Sequence, residues 1–290
     1  MSAAARRSGP LQDLKVIEIC STIAGPACTR LLADFGADVI KIEPPGDGDP
    51  LRLWRLLHQG TSVWWQVQSR NKRSVVLDLR TAEGRADVAA LAAECDVLIE
   101  NFKPGTLEKW GLGYDTLAAA NPGLIMLRIS GYGQTGPYRD LPGFAVVAEA
   151  MGGLRHLMGE PGRPPVRAGV SLGDTLAALH GVIGVLLALQ ARHRSISPDA
   201  PKGRGQVVDV ALYESVFNCM ESLLPEYSAF GAVREPAGSA LPGIAPSNAY
   251  RCRDGVVLVA GNGDSIFKRL MTAIGREDLA KDPGLADNAG

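Results

Sequence analysis

Lys15-Val-Ile-Glu-Ile19, then Ala24-Gly-Pro-Ala-Cys-Thr-Arg-Leu-Leu-Ala-Asp-Phe35 closed by Gly36, then Asp38-Val-Ile-Lys-Ile42, is the stretch on which the fold turns. The first run is short, apolar and preceded by polar residues, as a strand is. Leu31, Leu32 and Phe35 fall near helical spacing, and Gly36 stands where a C-terminal cap belongs. The third run is again a strand, stopped by Pro44-Pro45. Moving outward, a Gly- and Pro-rich loop leads to a strand over Ser74–Leu79. Thr81, with Gly84 three residues on, caps a helix that continues through Ala86–Glu94. Val97–Glu100 and Leu124–Ser130 read as further strands, separated by Leu117–Ala120 and the helix-stopping Asn121-Pro122. This alternation predicts an α/β fold built on a mainly parallel sheet.

The second half has another rhythm. Ala145–Met151 is a helix and 159–168 a loop. Asp174–Arg194 is the longest periodic helix, with Leu176, Leu179, Val182, Ile183, Leu186, Leu187 and Leu189 forming a broad apolar surface that predicts burial at nearly every turn. A loop over Ser195–Gly205, a strand over Gln206–Val210 and a helix over Leu212–Leu224 follow. Composition turns loop-like from Pro225 to Pro246, then Val256–Ala260 is a strand and Ser265–Ile274 a helix. The expected domains are residues 1–224 and the start of a smaller one over 225–290.

Thirty Lys and Arg against 31 Asp and Glu leave a net charge of −1 over 290 residues, without the positive surplus that coating nucleic acid or an anionic membrane requires. Cys20, Cys28, Cys95, Cys219 and Cys252 contain no C-x-x-C pair, the pattern of reduced thiols rather than disulfides or metal ligands. The apolar run Gly181–Leu189 is short for a membrane span. Met1–Pro10 carries Arg6 and Arg7 but no apolar core of a secretory signal. A cytoplasmic protein is expected.

Gly131-Tyr-Gly-Gln-Thr-Gly136 matches G-x-G-x-x-G, but Pro137 and Pro142 follow and no acidic residue stands about 20 positions on, so a tight ligand-side loop or a simple turn is favoured over a dinucleotide site. Arg80, Lys103 and Lys109 fall just past the carboxyl ends of strands, where α/β sheets bind ligands, and suit phosphate groups. For each one taken singly, a solvated surface position is the plainer reading. Nothing resembles G-x-S-x-G beside His58, His156, His180 or His193, so a hydrolase triad has no support. Gly173-Asp174-Thr175 opens the long helix. On local evidence Asp174 reads first as an N-cap; the same position also suits a nucleophile, because the N–H groups and dipole of a helix mouth favour the ionised carboxylate. Both readings can hold together.

Taken in order, Val16-Ile-Glu with Ala24–Thr29, Gly36–Glu43, Asn71–Ser74 with Leu77-Asp-Leu79, Asp96–Phe102 with Pro104-Gly105, Gly131–Pro137, Gly173-Asp174, Gly203–Gln206 with Asp209–Leu212, and Gly261-Asn-Gly263 resemble the class III CoA-transferase family, which includes formyl-CoA transferase and carnitine CoA-transferase. The similarity runs from about Leu11 onward. It implies a Rossmann-like large domain, a smaller second domain and an interlocked homodimer. It also implies no permanently bound cofactor, with coenzyme A entering as substrate together with a small carboxylic acid acceptor. By matching position, Asp174 is the nucleophile and Thr22, Ile23 and Ala24 line the acyl end of the CoA site. Leu77 and Arg80 meet the adenosine part, and Asn101, Phe102 and Lys109 the rest. Glycine-rich backbone at Gly261, Asn262 and Gly263 is the expected source of oxyanion donors. Ile23 stands where formyl-CoA transferase has Gln, and Pro44 where it has an arginine. Family chains run further, so a fragment lacking the C-terminal return to the large domain is expected.

The implied reaction is acyl-CoA:carboxylate CoA transfer through an aspartyl anhydride and an aspartyl-CoA thioester. Two alternatives stand beside it. An acyl-CoA racemase or isomerase of this scaffold pairs its Asp with a His, and here that place reads Gly143-Phe144-Ala145, which lacks the second acid–base group. The other is a non-catalytic CoA-binding subunit.

Overall fold

Alternate residues of β1 (Lys15–Ile19) enter different apolar layers: Val16 packs in one cluster, Ile17 and Ile19 in the other. A strand covered on both faces belongs inside a parallel sheet, and the computed structural model, which describes residues 8–287, has one. Arg6, Arg7 and Asn288-Ala-Gly290 lie outside the described residues. In chain order the main elements of the first part are β1, α1 (Ala24–Asp34), β2 (Asp38–Glu43), β3 (Lys72–Val76), α2 (Ala82–Glu94), β4 (Val97–Glu100), α3 (Tyr114–Ala120), β5 (Ile125–Ser130), α4 (Ala145–Met151), α5 (Leu172–Arg194), β6 (Val207–Ala211) and α6 (Leu212–Phe217).

The six strands pair in parallel in the order β3-β2-β1-β4-β5-β6. This is the doubly wound, Rossmann-type order, whose direction of travel reverses between β1 and β4 and opens a crevice at their carboxyl ends. Cys28 and Leu32 of α1 with Ala177, Val185 and Ala188 of α5 cover one face. Val88 and Ala92 of α2 with Leu117 of α3 cover the other. At Gly181 a β-carbon would lie 3.0 Å from Leu127 Cδ2 and 3.2 Å from Cys28 Sγ, so the missing side chain lets α5 settle against β5 and α1.

Several boundaries differ from expectation for local reasons. β3 starts at Lys72, not Ser74. Its register with β2 runs from Lys72 opposite Val39 to Val76 opposite Glu43, after which Leu77 N–H closes on Glu43 O and the chain turns at Asp78. The expected helix over Leu212–Leu224 breaks after Phe217; Glu221, at φ 50°, lies between it and α7 (Leu223–Phe230). Pro225 falls in the first turn of α7, where its missing N–H costs no helical bond, so the region from Pro225 is not loop throughout. Ser247-Asn-Ala-Tyr-Arg251 is a strand without apolar alternation. As β7 it pairs antiparallel with β8 (Val256–Ala260), ahead of α8 (Asp264–Ala273).

The backbone divides into two units: Met1–Leu154 with Ala168–Glu221, and Arg155–Arg167 with Ser222–Gly290. The expected division after residue 224 falls inside α7. By length and mean hydropathy (1.8) α5 does pass the test for a membrane-crossing helix, contrary to expectation, yet a third of that window is buried in the protein. Burial does recur at each turn of α5, through Gly173, Ala177, Ala178, Gly181, Val185 and Ala188, but the face buried is the small-residue one, and Leu179, Ile183, Leu186 and Leu187 of the expected apolar surface are exposed.

Between β2 and β3 the chain makes a short 3-10 turn, Pro50–Leu53, and a small hairpin of Leu57-His58 with Thr61-Ser62. Its tip is Gln59-Gly60, both at positive φ (50° and 78°) and both exposed.

Candidate active site

The loop Cys20-Ser21-Thr22-Ile23 leaves β1 at the switch point. Three side chains from elsewhere fasten its backbone. Lys41 Nζ donates to Cys20 O at 2.8 Å. Asn101, just past β4, accepts from Ser21 N at 3.0 Å and donates to Ser21 O at 2.9 Å. Asp49 accepts from Thr22 N–H with both oxygens, at 3.1 and 3.2 Å. Thr22 is thereby held at φ 66°, a left-handed conformation that β-branched residues rarely adopt. Ile23 and Ala24 follow, buried, as the N-cap and first residue of α1. Thr22, Ile23, Ala24 and Asn101 are thus gathered at the crevice. The Asn101 amide is engaged with the loop itself, through Ser21 N–H and Ser21 O.

Beneath the loop lies a layer of buried charge that the sequence reading did not identify. Lys41 bridges Glu18 (2.6 Å) and Asp49 (2.8 Å), all three about 1% exposed or less. Lys72 reaches the other Glu18 oxygen at 2.7 Å, and Thr29 donates to it. Burial pushes the Glu18 carboxyl up, but Lys72 and Lys41 outweigh it and hold it below the usual range. Burial pulls Lys41 down, yet Glu18 and Asp49 more than reverse this and raise it. For Lys72 burial prevails, and its pKa is lowered. Alongside, Glu43 takes a two-pronged contact from Arg52 (2.7 and 2.8 Å), the Asp49 N–H and the Ser74 hydroxyl. Against the opposing effect of burial, these bring its carboxyl down to about 2. The signal in the sequence was a charge in the middle of each apolar strand, Glu18 and Lys41, which a strand covered on both faces tolerates only when paired.

On the other face, Glu100 accepts from Phe102 N–H at 2.7 Å and from Arg128 at 2.7 Å, and Arg128 also grips Glu108. Burial raises Glu100 above the normal carboxylate value despite Arg128. Phe102 packs edge-on against Trp110 at 5.2 Å. Lys103 and Lys109 are exposed on the segment after β4. Leu77 is half-buried, while Arg80, 77% exposed, is turned onto Asp78 at 2.8 Å.

Asp174 is the third residue of α5, half-buried in its first turn. The helix begins at Leu172 with Ser171 as N-cap and no side-chain cap bond, so Asp174 is not the cap. The mouth is served from α4 instead, where buried Glu149 accepts from Gly173 N–H at 3.4 Å. A crossover helix runs antiparallel to its strands, so the mouths of both α1 and α5 lie on the carboxyl side of the sheet. The Gly131 to Gly136 loop is on the same side and opens no helix before Ala145, as a dinucleotide fingerprint must. Two buried polar atoms there, Ser130 Oγ and Gln134 Nε2, have no hydrogen-bond partner, the condition of groups that a ligand or water completes. Phe144 is the N-cap of α4, 75% exposed, and brings no acid–base group. His180 is fixed by Leu176 O and the Asn218 amide.

Gly261, Asn262 and Gly263 lie in the second unit, ahead of α8. Gly261 N–H donates to Pro246 O at 2.7 Å, so contrary to expectation that N–H is engaged within its own unit rather than offered as an oxyanion donor. A cavity of about 390 Å³ lined by Ser8, Ala33, Asp34, Gly36, Asn71 and Lys72 sits at the amino ends of β2 and β3, the end of the sheet away from the crevice.

The model of CoA-transferase family III matches residues 11–290. A succinyl-CoA–D-citramalate CoA-transferase of Chloroflexus aurantiacus is 53% identical over 279 residues, covering 96% of this chain and 68% of the relative. A succinate–glutarate CoA-transferase of Agrobacterium fabrum is 36% identical, covering 97% and 70%. Among solved structures, a CAIB/BAIF family protein from Brucella suis superimposes with a TM-score of 0.83 at 40% identity, covering 97% of this chain and 74% of that one.

Proposed function

Because the chain belongs to CoA-transferase family III, we propose that it moves coenzyme A from an acyl-CoA to a free carboxylic acid with Asp174 as the attacking group. The observation that carries this reading is Asp174 in the first turn of the 23-residue α5, half-buried and on the carboxyl side of the sheet. Helix N-termini favour an ionised carboxylate, and the ionised form is the nucleophile.

An Asp174 oxygen attacks the donor thioester carbonyl, and the C–S bond breaks to give a mixed anhydride and CoA thiolate. The thiolate attacks the aspartyl carbonyl of that anhydride, releasing the donor acid and leaving an aspartyl-CoA thioester. The acceptor carboxylate attacks this thioester, expelling thiolate and forming a second anhydride. Thiolate then takes the acceptor acyl group and restores Asp174. No net proton or electron is required. The names of the relatives support succinyl as the donor acyl group and a small dicarboxylic or hydroxy acid as acceptor. A homodimer belongs to the proposal, supported by the exposed apolar residues Leu179, Ile183, Leu186 and Leu187 along α5.

The test is a donor-by-acceptor screen begun with succinyl-CoA, with products followed by chromatography. Asp174→Ala is expected to lose transfer by roughly 10⁴-fold or more, the scale for removing a covalent nucleophile. Hydroxylamine added during turnover is expected to modify Asp174. An active Ala variant, or modification at another residue, would overturn the assignment.

A further inference from the structure

The buried charges beneath the crevice reach the β1–α1 loop at two backbone groups, Cys20 O through Lys41 and Thr22 N–H through Asp49. Asp49 Oδ1 accepts from Thr22 N–H at 3.1 Å and from Leu51 N–H at 2.9 Å; Oδ2 accepts from Thr22 N–H at 3.2 Å and from Lys41 Nζ at 2.8 Å. The Leu51 bond alone is the ordinary cap of the Pro50–Leu53 turn. The remaining contacts are not needed for that turn. They aim a carboxylate, 1% exposed and anchored by a lysine equally buried, at the one residue of the β1–α1 loop whose backbone is left-handed.

We propose that Asp49 is a positioning residue for CoA transfer: braced by Lys41, it clamps the Thr22 N–H and so fixes the loop that forms the acyl end of the pocket. This rests on the functional reading above. Left to itself, Thr22 relaxes to negative φ, which swings the peptide planes on either side of it and moves the entrance to α1. The Lys41 bond to Cys20 O and the Asn101 bonds to Ser21 hold the preceding residues, so release of Asp49 frees Thr22 selectively. The acyl end then loses its geometry, while the distant adenosine contacts stay in place. Reaction geometry is steeply sensitive to displacements of this size; roughly 1 Å costs about 100-fold.

Two variants of the whole chain test it. Asp49→Asn keeps an oxygen for the Leu51 cap but places an NH₂ group, a donor, against Lys41 Nζ and Thr22 N–H. Thr22→Pro leaves every buried charge intact, removes the clamped N–H and forbids positive φ. Each is assayed for CoA binding by calorimetry and for kcat and KM with succinyl-CoA and an acceptor acid found active with the parent. Both are expected to bind CoA within about threefold of the parent while kcat falls roughly 10- to 100-fold. A parent-like kcat in Thr22→Pro overturns the proposal even if Asp49→Asn fails to fold. CoA affinity falling as far as kcat does so too, since that is the mark of general structural damage. A parent that transfers no CoA to any acid brings down the functional reading and this proposal together; an active parent with unimpaired variants brings down this proposal alone.

Discussion

Replacing Lys41 by Met removes one cation from between two buried carboxylates. The ammonium lies 2.6 Å from Glu18, 2.8 Å from Asp49 and 2.8 Å from Cys20 O. Without it Glu18 keeps Lys72 at 2.7 Å and the Thr29 hydroxyl, and Asp49 keeps two backbone N–H groups. Breaking a buried pair on one side costs roughly 3–5 kcal/mol; the partners that remain place this case near the lower end, about 3 kcal/mol. At a urea slope of roughly 3 kcal/mol per molar, the midpoint falls by about 1 M. All four tryptophans, Trp54, Trp64, Trp65 and Trp110, lie in the first unit, so tryptophan fluorescence follows the unfolding of that unit. The deficit also depends on pH with a definite sign. In the parent, Lys72 and Lys41 together keep the Glu18 carboxyl low against burial. With one of the two gone, its folded pKa rises toward or past the unfolded value. A raised carboxyl favours the folded state at low pH and loses that contribution as pH rises. The variant is therefore closest to the parent near pH 5 and furthest from it at pH 8. A midpoint shift under about 0.3 M at an unchanged slope, or a deficit that grows on acidification, would refute this account of the network.

Two further outcomes follow from the same geometry. Glu43, with its side chain 2% exposed and its carboxyl lowered from 4.5 to about 2, contributes on the order of 2–3 kcal/mol above pH 4.5, lost as pH falls toward 2; Glu43→Gln is expected to flatten acid unfolding across that window, and a profile parallel to the parent's counts against it. At Gly205 a β-carbon would lie 1.8 Å from Leu124 O, a backbone collision, so Gly205→Ala should lose about 3 kcal/mol or more, and an unchanged urea midpoint would show that the β6 approach is looser than described.

The sheet was legible because its strands are apolar runs between clear stops. Val97–Glu100 is bounded as expected, and β1, α1 and β2 lie within a residue or so of expectation. Elements with mixed signals went astray. Ser247–Arg251 has no alternation and is a strand only through its partner β8, while Pro225 suggested loop where it sits harmlessly in a first turn. At the site, local sequence marked Asp174 as a helix-mouth residue, and the family resemblance rather than the mouth itself singled it out as the nucleophile; the helix frame was two residues late, because Leu172-Gly173 reads as approach rather than helix. The clamp on Thr22 was beyond reach. Its parts come from β2, the segment before Pro50 and the end of β4, and no local pattern connects residues that only the sheet order brings together.

The connection between β2 and β3 consequently has two mechanical characters along its length. Up to Leu53 it is strapped to the crevice floor through Asp49 and Arg52, and a deletion or added residue there would drag the mouth of α1 with it. Beyond that, at Gln59-Gly60, the hairpin tip is open to solvent on a two-residue turn, the kind of place where inserted sequence is accommodated. A reporter peptide or affinity handle spliced between those two residues should leave the crevice end of the sheet undisturbed, whereas the same graft a dozen residues earlier should not.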